Sequence, residues 1–407
     1  MFSAPKAGTI ASGVILLVQT SLGTGLFTMH HLFAAIGIFP AIAVICLSAL
    51  FFNFCASSLA AVLKDHFKQE ISYANLVKRI LGNKISFLFN VNFLFYTFMS
   101  IACRVVVFVQ IIFLNVELPL NESNSTNATE LFDAYRLVNF IIVFGILVII
   151  FSIKKIDYFR KLCYFSSMII LYLIIVLLIQ TPKYMRQVAN NERSYDSVIW
   201  EPSGLMVNYG LVVFSFNCFT TLFNIFQEFS SPKYSTLRNT SMWSFYSLFT
   251  ILTILGVCSY LSLGADKAKS FDIILFRDRI GSTDFLMIVG RYGYMICLLL
   301  GCGLNMVPLR CLTKRVFGLS DNNRSNYAIT IFYSFLMALV SVVFIKARSY
   351  MRVAGGFSGA MIVIVFPFLL GLEKGIFKSN KVKVFIKVVT LLFFIISCGS
   401  IYFAVKG

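Results

Sequence analysis

Eleven apolar runs, each long enough to cross a bilayer, restrict this chain to the few folds that a membrane allows. Hydrocarbon offers no hydrogen-bond partners to an exposed main chain, so spanning segments of this length form α-helices. The composition agrees, because 58% of the 407 residues are hydrophobic and only 13% are charged. The runs lie near residues 8–30, 35–63, 85–114, 135–151, 162–181, 205–228, 241–264, 285–309, 327–345, 353–372 and 385–405. We therefore predict an all-α membrane protein with eleven transmembrane helices and no large water-soluble domain.

The distribution of basic residues predicts how the chain is oriented in the membrane. If the N-terminus is cytosolic, the cytosolic segments hold 21 of the 35 Lys and Arg residues and the opposite segments hold 11. Cytosolic loops of membrane proteins carry such an excess. Three N-x-[ST] sequons, at Asn121, Asn124 and Asn127, lie in a loop on the opposite side, where glycosylation acceptors belong. We predict a multi-pass glycoprotein of the plasma membrane or the vacuolar or lysosomal membrane, with its N-terminus in the cytosol.

Several functional classes have no counterpart in the sequence. The ten cysteines show no CxxC or His-rich spacing, so neither a disulfide framework nor a metal site is indicated. There is no P-loop and no Ser-His-Asp or paired-carboxylate spacing, so we expect neither ATP-driven transport nor an enzyme. The net charge of +18 follows from the topology and favours contact with anionic lipid rather than nucleic acid. We expect membrane lipid as a partner, no cofactor and no obligate protein partner.

A polar stretch containing two glycines, residues 19–25 with the sequence QTSLGTG, interrupts the first apolar run. If the helix unwinds there, its free amides and carbonyls need protein, water or a ligand as partners. A half-helix N-terminus suits an anionic group, and unwound carbonyls suit an ammonium group or a metal cation. The alternative is close helix packing, which small residues also permit. The sequence favours neither interpretation over the other.

The sixth run contains a second polar interruption, residues 215–221 with the sequence SFNCFTT. Because the first and sixth runs are five apart, the two blocks that they begin would have opposite orientations in the membrane. Inverted repeats of this kind place two broken helices at a midplane binding site. We predict a first repeat over 1–181, an external loop over 182–204, a second repeat over 205–372, and an eleventh helix with the C-terminus over 373–407.

Four short motifs are informative when their order and spacing along the chain are considered together. They are Gly23-Thr24-Gly25-Leu26 with Phe33 and Gly37, Phe214-Ser215-Phe216-Asn217-Cys218 with Phe223, Ile225 and Glu228, Tyr260-Leu261-Ser262-Leu263-Gly264, and Arg291 with Pro308-Leu309-Arg310. The first three resemble the signatures GxGxLxLPxAFxxxG, FxFxCHxNxFPIYxEL and GYLxFG of the amino acid/auxin permease family, and the fourth brackets the eighth span. The resemblance covers most of the chain and implies a LeuT-like 5+5 inverted repeat and transport of amino acids, as in the vacuolar and neutral amino acid branches.

The resemblance also implies a substrate site, although the chain departs from the family at three positions. His30 replaces a proline of the first motif, and Phe219 and Asn224 replace a histidine and a proline of the second. The family pattern places the first-helix glycines and the sixth-helix break around the amino and carboxyl groups of the substrate. The predicted substrate-binding residues are Ser21, Gly23, Thr24, Gly25, Phe216, Asn217, Cys218 and Arg104.

Arg104 lies inside the third run, where a charge costs at least about 2.5 kcal/mol and therefore usually faces a cavity or a partner. It is predicted either to gate the site or anchor a substrate carboxylate, or to extend its side chain to the outer interface. His30 and His31 are candidates for titration, but we favour a capping or interfacial role for them.

The eighth run predicts the coupling mode. It contains no Ser or Thr between Phe285 and Leu312, and its nearest substitutes, Cys297, Cys302 and Asn305, include thiols that bind hard cations poorly. We therefore predict transport without sodium, driven by protons or by facilitated exchange. The predicted function is a secondary active or facilitative amino acid transporter that works by alternating access. A sensor that binds amino acids with little flux shares every motif above, and a channel is a weaker alternative.

Overall fold

The computed structural model describes residues 8–23, 25, 28–64, 72–114, 128–153, 156–189, 202–227, 229, 233–265, 268, 285–343, 347–377 and 379–406. Within these ranges the regular structure is helical throughout, as the sequence predicts. The helices are α1 (Ile10–Ser21), α2 (His30–Ile36), α3 (Ile38–Lys64), α4 (Tyr73–Leu114), α5 (Ala128–Phe151), α6 (Ile156–Ala189), α7 (Pro202–Ser215), α8 (Phe219–Gln227), α9 (Tyr234–Leu263), α10 (Phe285–Phe317), α11 (Asn323–Val343), α12 (Ala347–Val353), α13 (Phe366–Glu373) and α14 (Asn380–Lys406).

Nine helical segments of the described chain are long and apolar enough to cross a membrane. Two further apolar helices, Ile10–Ser21 and Val138–Phe151, are shorter. They fall in the predicted first and fourth spans, so the count of eleven stays a prediction. α6 continues to Ala189, past the predicted end of the fifth span at residue 181, because a helix can extend beyond the hydrocarbon once it has spanned it.

Two of the long segments are not uniform α-helices. α4 is kinked at Gly82, whose φ of +85° is a left-handed conformation that other residues rarely adopt. The tenth predicted span joins α12 to α13 through two π-helical stretches, Ala354–Gly359 and Met361–Val365. A π-helix frees main-chain carbonyls, and neighbouring side chains satisfy two of them: Asn92 donates to the Ser358 carbonyl at 3.2 Å and Tyr73 to the Ile362 carbonyl at 3.0 Å.

The packing surrounds α1 and α8 with longer helices. α10 packs against α4 and α6, while α1 contacts α6, α8, α9 and α10. α2 and α7 pack against each other, and α7 also contacts the first π-helical stretch and α14. α14 lies at the periphery and exposes a row of large apolar side chains, as expected of a surface that faces lipid. That row comprises Val384, Phe385, Val388, Leu391, Leu392 and Ile395.

Candidate functional site

The first predicted span is broken into two helices, as its sequence indicates. α1 ends at Ser21, and the next helix, α2, begins at His30. The main chain turns at once, because the Leu22 amide still donates to the Val18 carbonyl at 2.8 Å and the Gly23 amide donates back to the Ser21 carbonyl at 2.7 Å. The break therefore starts after Ser21 rather than at Gln19, where the polar sequence begins.

The sixth predicted span is also broken, although its centre contains neither Gly nor Pro. α7 ends at Ser215, α8 begins at Phe219, and residues 216–218 between them are not helical. The Ser215 hydroxyl donates to the Leu211 carbonyl at 2.8 Å. Hydrogen bonds of this kind bend helices and compete with the helical pattern. The Cys218 amide then donates to the Phe216 carbonyl at 2.9 Å, which closes a tight turn.

The two breaks contact each other. A methyl group on Gly25 would overlap the hydroxyl of Ser215, so the absence of a side chain there is what permits the contact. Thr221 in α8 donates to the Thr20 hydroxyl in α1 at 3.0 Å. The tertiary fold thus brings together two polar segments that are almost 200 residues apart in the chain.

Six of the predicted substrate-binding residues lie at these facing breaks. They are Ser21, Gly23, Gly25, Phe216, Asn217 and Cys218. Thr24 lies outside the described residues, as do Glu228 and the sequon asparagines Asn121, Asn124 and Asn127. All six are buried, and Phe216 packs between Phe52 and Phe245 with ring centroids 5.7 Å and 6.3 Å away. The structure therefore has a closed arrangement around the breaks.

Asn217 has an unusual environment. Its side chain is 3% exposed, and among the described residues neither its amide nitrogen nor its carbonyl oxygen makes a hydrogen bond. Tyr96 lies beside it without bonding geometry. The Ser21 hydroxyl, close to Cys218, is in the same situation. An unsatisfied buried polar group costs about 1–3 kcal/mol, so a ligand that bonded to these two groups at the facing breaks would recover that cost.

Arg104 lies beside the first break rather than at the membrane interface. Its guanidinium, in a side chain 2% exposed, donates to the Gly301 carbonyl of α10 at 3.0 Å and to the Thr20 carbonyl in the last turn of α1. A hydrogen bond to a charged group contributes about 1.5–3 kcal/mol, so two of them offset a burial cost of at least about 2.5 kcal/mol. The predicted extension to the outer interface is therefore wrong, because these two carbonyls hold the charge inside the bundle.

α10 makes further contacts to the broken helix that the sequence did not predict. The Tyr294 hydroxyl donates to the Gly23 carbonyl at 2.7 Å, and the Gln19 amide donates to the Cys297 carbonyl at 3.4 Å. Tyr294 and Gly301 are seven residues apart and so share a helical face, which is the only sequence signal for this contact.

The three side chains of the eighth span that are the nearest substitutes for Ser or Thr ligands contact other helices and not the break in the first span. Cys297 contacts the Ser166 carbonyl at 3.6 Å, Cys302 contacts the Ile101 carbonyl at 4.0 Å, and Asn305 contacts the Ser100 hydroxyl at 3.5 Å. In the part of the chain that the structure describes, no group of three or more His, Cys, Asp or Glu side chains could hold a metal ion.

The two histidines at the start of α2 are buried inside the protein, and their predicted capping or interfacial role stays a prediction. His30 is 0% exposed and His31 is 3% exposed, and their ring centroids lie 4.1 Å apart. Nδ1 of His31 lies 2.6 Å from the Ala268 carbonyl. Both rings pack inside the protein, and His31 also bonds to the main chain at Ala268.

Comparison with known proteins agrees with this architecture. A family model described as transmembrane amino acid transporter protein matches residues 6–407. The structure of a manganese transporter from Eremococcus coleocola aligns with a TM-score of 0.53 at 10% identity, over 98% of this chain and 94% of that one.

A nucleobase-cation-symport-1 family transporter, MHP1, in a closed conformation with bromovinylhydantoin bound, aligns with a TM-score of 0.56 at 11% identity, over 100% of this chain and 94% of that one. At such identities the likeness concerns the fold alone, which is all-helical and LeuT-like. A search of the curated proteins finds no match. Because the family model spans nearly the whole sequence, the chain belongs to the transmembrane amino acid transporter protein family.

Proposed function

We propose that this membrane transporter carries amino acids by alternating access, as a secondary active or facilitative carrier. The observation that supports the proposal most directly is the unsatisfied Asn217 amide, buried where the two helix breaks face each other. One amide offers both a donor and an acceptor, which suits the oppositely charged ends of a zwitterion. The N-terminus of α8, directly after Asn217 and Cys218, adds a partial positive charge for a carboxylate.

In this proposal the broken helices move against a scaffold. α4, α6 and α10 form that connected scaffold, and the broken pair α1–α2 and α7–α8 contacts it through helix packing and through hydrogen bonds from single side chains such as Arg104 and Tyr294. In such folds alternating access is largely the movement of one bundle against the other around a fixed site. The closed arrangement is then one state of the cycle, and opening on either side exposes Asn217 and Ser21 to water.

Transport is expected to be independent of sodium, with a proton gradient or exchange as the driving force. α10 offers no Ser or Thr hydroxyl between Phe285 and Leu312, and its thiols contact other helices. The test is uptake into proteoliposomes in which choline replaces sodium at fixed pH. Loss of uptake under choline would contradict the proposal.

The decisive experiment is counterflow of labelled amino acids in proteoliposomes, run over a panel of acidic, basic, neutral and aromatic substrates with and without a pH gradient. Saturable flux of at least one amino acid supports a carrier. Binding without flux would instead identify the amino acid sensor that the sequence leaves open. Conductance that does not saturate at millimolar substrate would identify a channel. The same panel identifies the amino acid that is carried. Imaging in cells shows whether the membrane is the plasma, vacuolar or lysosomal one.

A further inference from the structure

Arg104 is a cation buried against main-chain oxygen atoms. Among the residues that the structure describes, both of its hydrogen-bond acceptors are carbonyls, one from Thr20 at the end of α1 and one from Gly301 in α10. Neither is a carboxylate. The last carbonyls of a helix carry partial negative charge and lack helical partners, so Thr20 presents the negative end of α1 to the guanidinium.

Two glycines lie in close contact with the Arg104 guanidinium. A Cβ on Gly23 would lie 2.5 Å from Arg104 Nε, and a Cβ on Gly301 would lie 3.0 Å from the same atom. Glycine at both positions therefore lets the charged group lie directly against the break and against α10. Carbonyls of a broken helix together with an oxygen from a scaffold helix form the kind of site that holds a coupling cation in other transporters.

We propose that the Arg104 guanidinium is a resident cation, which permanently fills a cation site between the break in α1 and α10 and so replaces an exchangeable metal ion. This inference rests on the proposed transport function. It assigns Arg104 to the protein's own carbonyls rather than to the substrate carboxylate. It also explains why α10 needs no hydroxyl ligands, because a tethered guanidinium brings its own positive charge to the site and fills the volume.

A variant without the Arg104 side chain should respond to soluble cations. Removing the side chain but keeping both carbonyls should leave a vacant cation site that a soluble cation can enter. Guanidinium ion reproduces the missing group, sodium is a small substitute, and choline is too large. If the cation and the substrate bind the same closed state, each must raise the affinity for the other.

The experiment compares purified wild type and Arg104→Ala in two ways, with millimolar guanidinium, sodium or choline. In thermal unfolding, guanidinium or sodium should raise the Tm of the variant and leave that of the wild type unchanged, because only the variant has a vacant site. In transport, the variant should lose about tenfold or more in flux with choline, and added guanidinium or sodium should recover a large part of it.

Arg310→Ala is the matched control. Arg310 is also buried and also donates to two main-chain carbonyls, those of Phe151 and Ile153 at 2.9 Å and 2.8 Å, but at the end of α5 and away from the breaks. Its removal should lower stability without making the flux depend on the cation. A flux in Arg310→Ala that guanidinium or sodium restores would overturn the assignment of the cation site to Arg104.

Several results would overturn the proposal. One is full flux and unchanged Tm in Arg104→Ala with no cation present. Another is acceptance of the decarboxylated amine of a substrate by Arg104→Ala as readily as the amino acid, with no response to cations, which would make Arg104 a carboxylate anchor.

If Arg104→Ala does not fold, Arg104→Lys is compared with Arg104→Gln. The lysine variant should keep Tm and flux within a few-fold and the glutamine variant should not, and equal behaviour would overturn the proposal. If the wild type carries no amino acid, the transport function fails while the Tm measurements still test the cation site.

Discussion

At the scale of single residues, the site combines polar groups that have hydrogen-bond partners with polar groups that have none among the described residues. Thr20, Gly23 and Gly301 each have a main-chain carbonyl bonded to a side chain from another helix. Asn217 and Ser21 are buried with no such partner among the described residues. The first set fixes the shape of the break, and the second set is available to a ligand.

Replacement of Asn217 by alanine should reduce transport without reducing stability. The amide makes no hydrogen bond among the described residues of the closed state, so its removal should change the free energy of unfolding little or raise it. A substrate that depends on the amide should lose tenfold or more in kcat/KM, which corresponds to about 1.4 kcal/mol. Thermal unfolding and initial uptake rates measure the two effects.

Asn92→Ala is the control for Asn217→Ala. Asn92 is also a buried asparagine, but its amide donates to the π-helical Ser358 carbonyl at 3.2 Å. Its loss should cost about 1–3 kcal/mol of stability because that carbonyl is left without this donor. Equal stability losses in both variants would contradict this expectation, because they would show that the Asn217 amide has a structural partner in the folded protein.

Replacement of Gly25 by alanine should disrupt the contact between the two breaks. The new methyl group would overlap the Ser215 side chain and approach its main chain to 3.2 Å, so the backbone must shift. We expect a loss of about 1–3 kcal/mol in stability, typical of overpacking, together with loss of flux. Gly145→Ala is the control, since no atom lies within 4 Å of a Cβ there, and it should leave both properties unchanged or slightly improved.

At the scale of helices, the sequence predicted where the helices break along the chain better than it predicted which side chains contact each other. The glycines at 23 and 25 marked the first break, and the run of Ser, Asn and Thr marked the second, because such residues weaken helical hydrogen bonding locally. The kink at Gly82 and the π-helical stretches of the tenth span were not predicted. The π-helical stretches bond to side chains that are 289 and 266 residues away in the sequence, Tyr73 and Asn92, and hydrophobic patterning does not register such contacts.

The close packing of α7 on the first π-helical stretch should depend on Gly355. A methyl group there would overlap the main-chain oxygen of Gly210, and a backbone atom cannot move aside as a flexible side chain can. We expect Gly355→Ala to lower stability by about 1–3 kcal/mol or to prevent folding. Gly399→Ala is the control on the neighbouring α14, where a Cβ would lie 3.6 Å from Met206, an ordinary contact. Similar Tm values for the two variants would contradict this account.

At the scale of the whole molecule, the sequence predicted the fold class and the family, because both follow from many residues acting together. The burial of Arg104 inside the bundle and the partners of Arg310 required the structure, since a charge in an apolar run can equally reach an interface or a carbonyl. The structure was likewise needed to show that His30 and His31 are buried and that Nδ1 of His31 lies against the Ala268 carbonyl.

The orientation of the whole molecule in the membrane can be tested through its glycosylation. The excess of basic residues in the segments assigned to the cytosol and the three sequons at Asn121, Asn124 and Asn127 predict that the loop between the third and fourth spans is lumenal or extracellular. In a eukaryotic host, removing N-glycans should therefore reduce the apparent mass, and the triple asparagine-to-glutamine variant should abolish that shift. The chain provides an internal control, because Asn323, at the start of α11, belongs to another sequon in a segment predicted to face the cytosol. Asn323→Gln should leave the mass shift unchanged. A shift that the triple variant keeps would mean that the molecule is inserted in the opposite orientation, with the sequons at Asn239 and Asn323 on the glycosylated side.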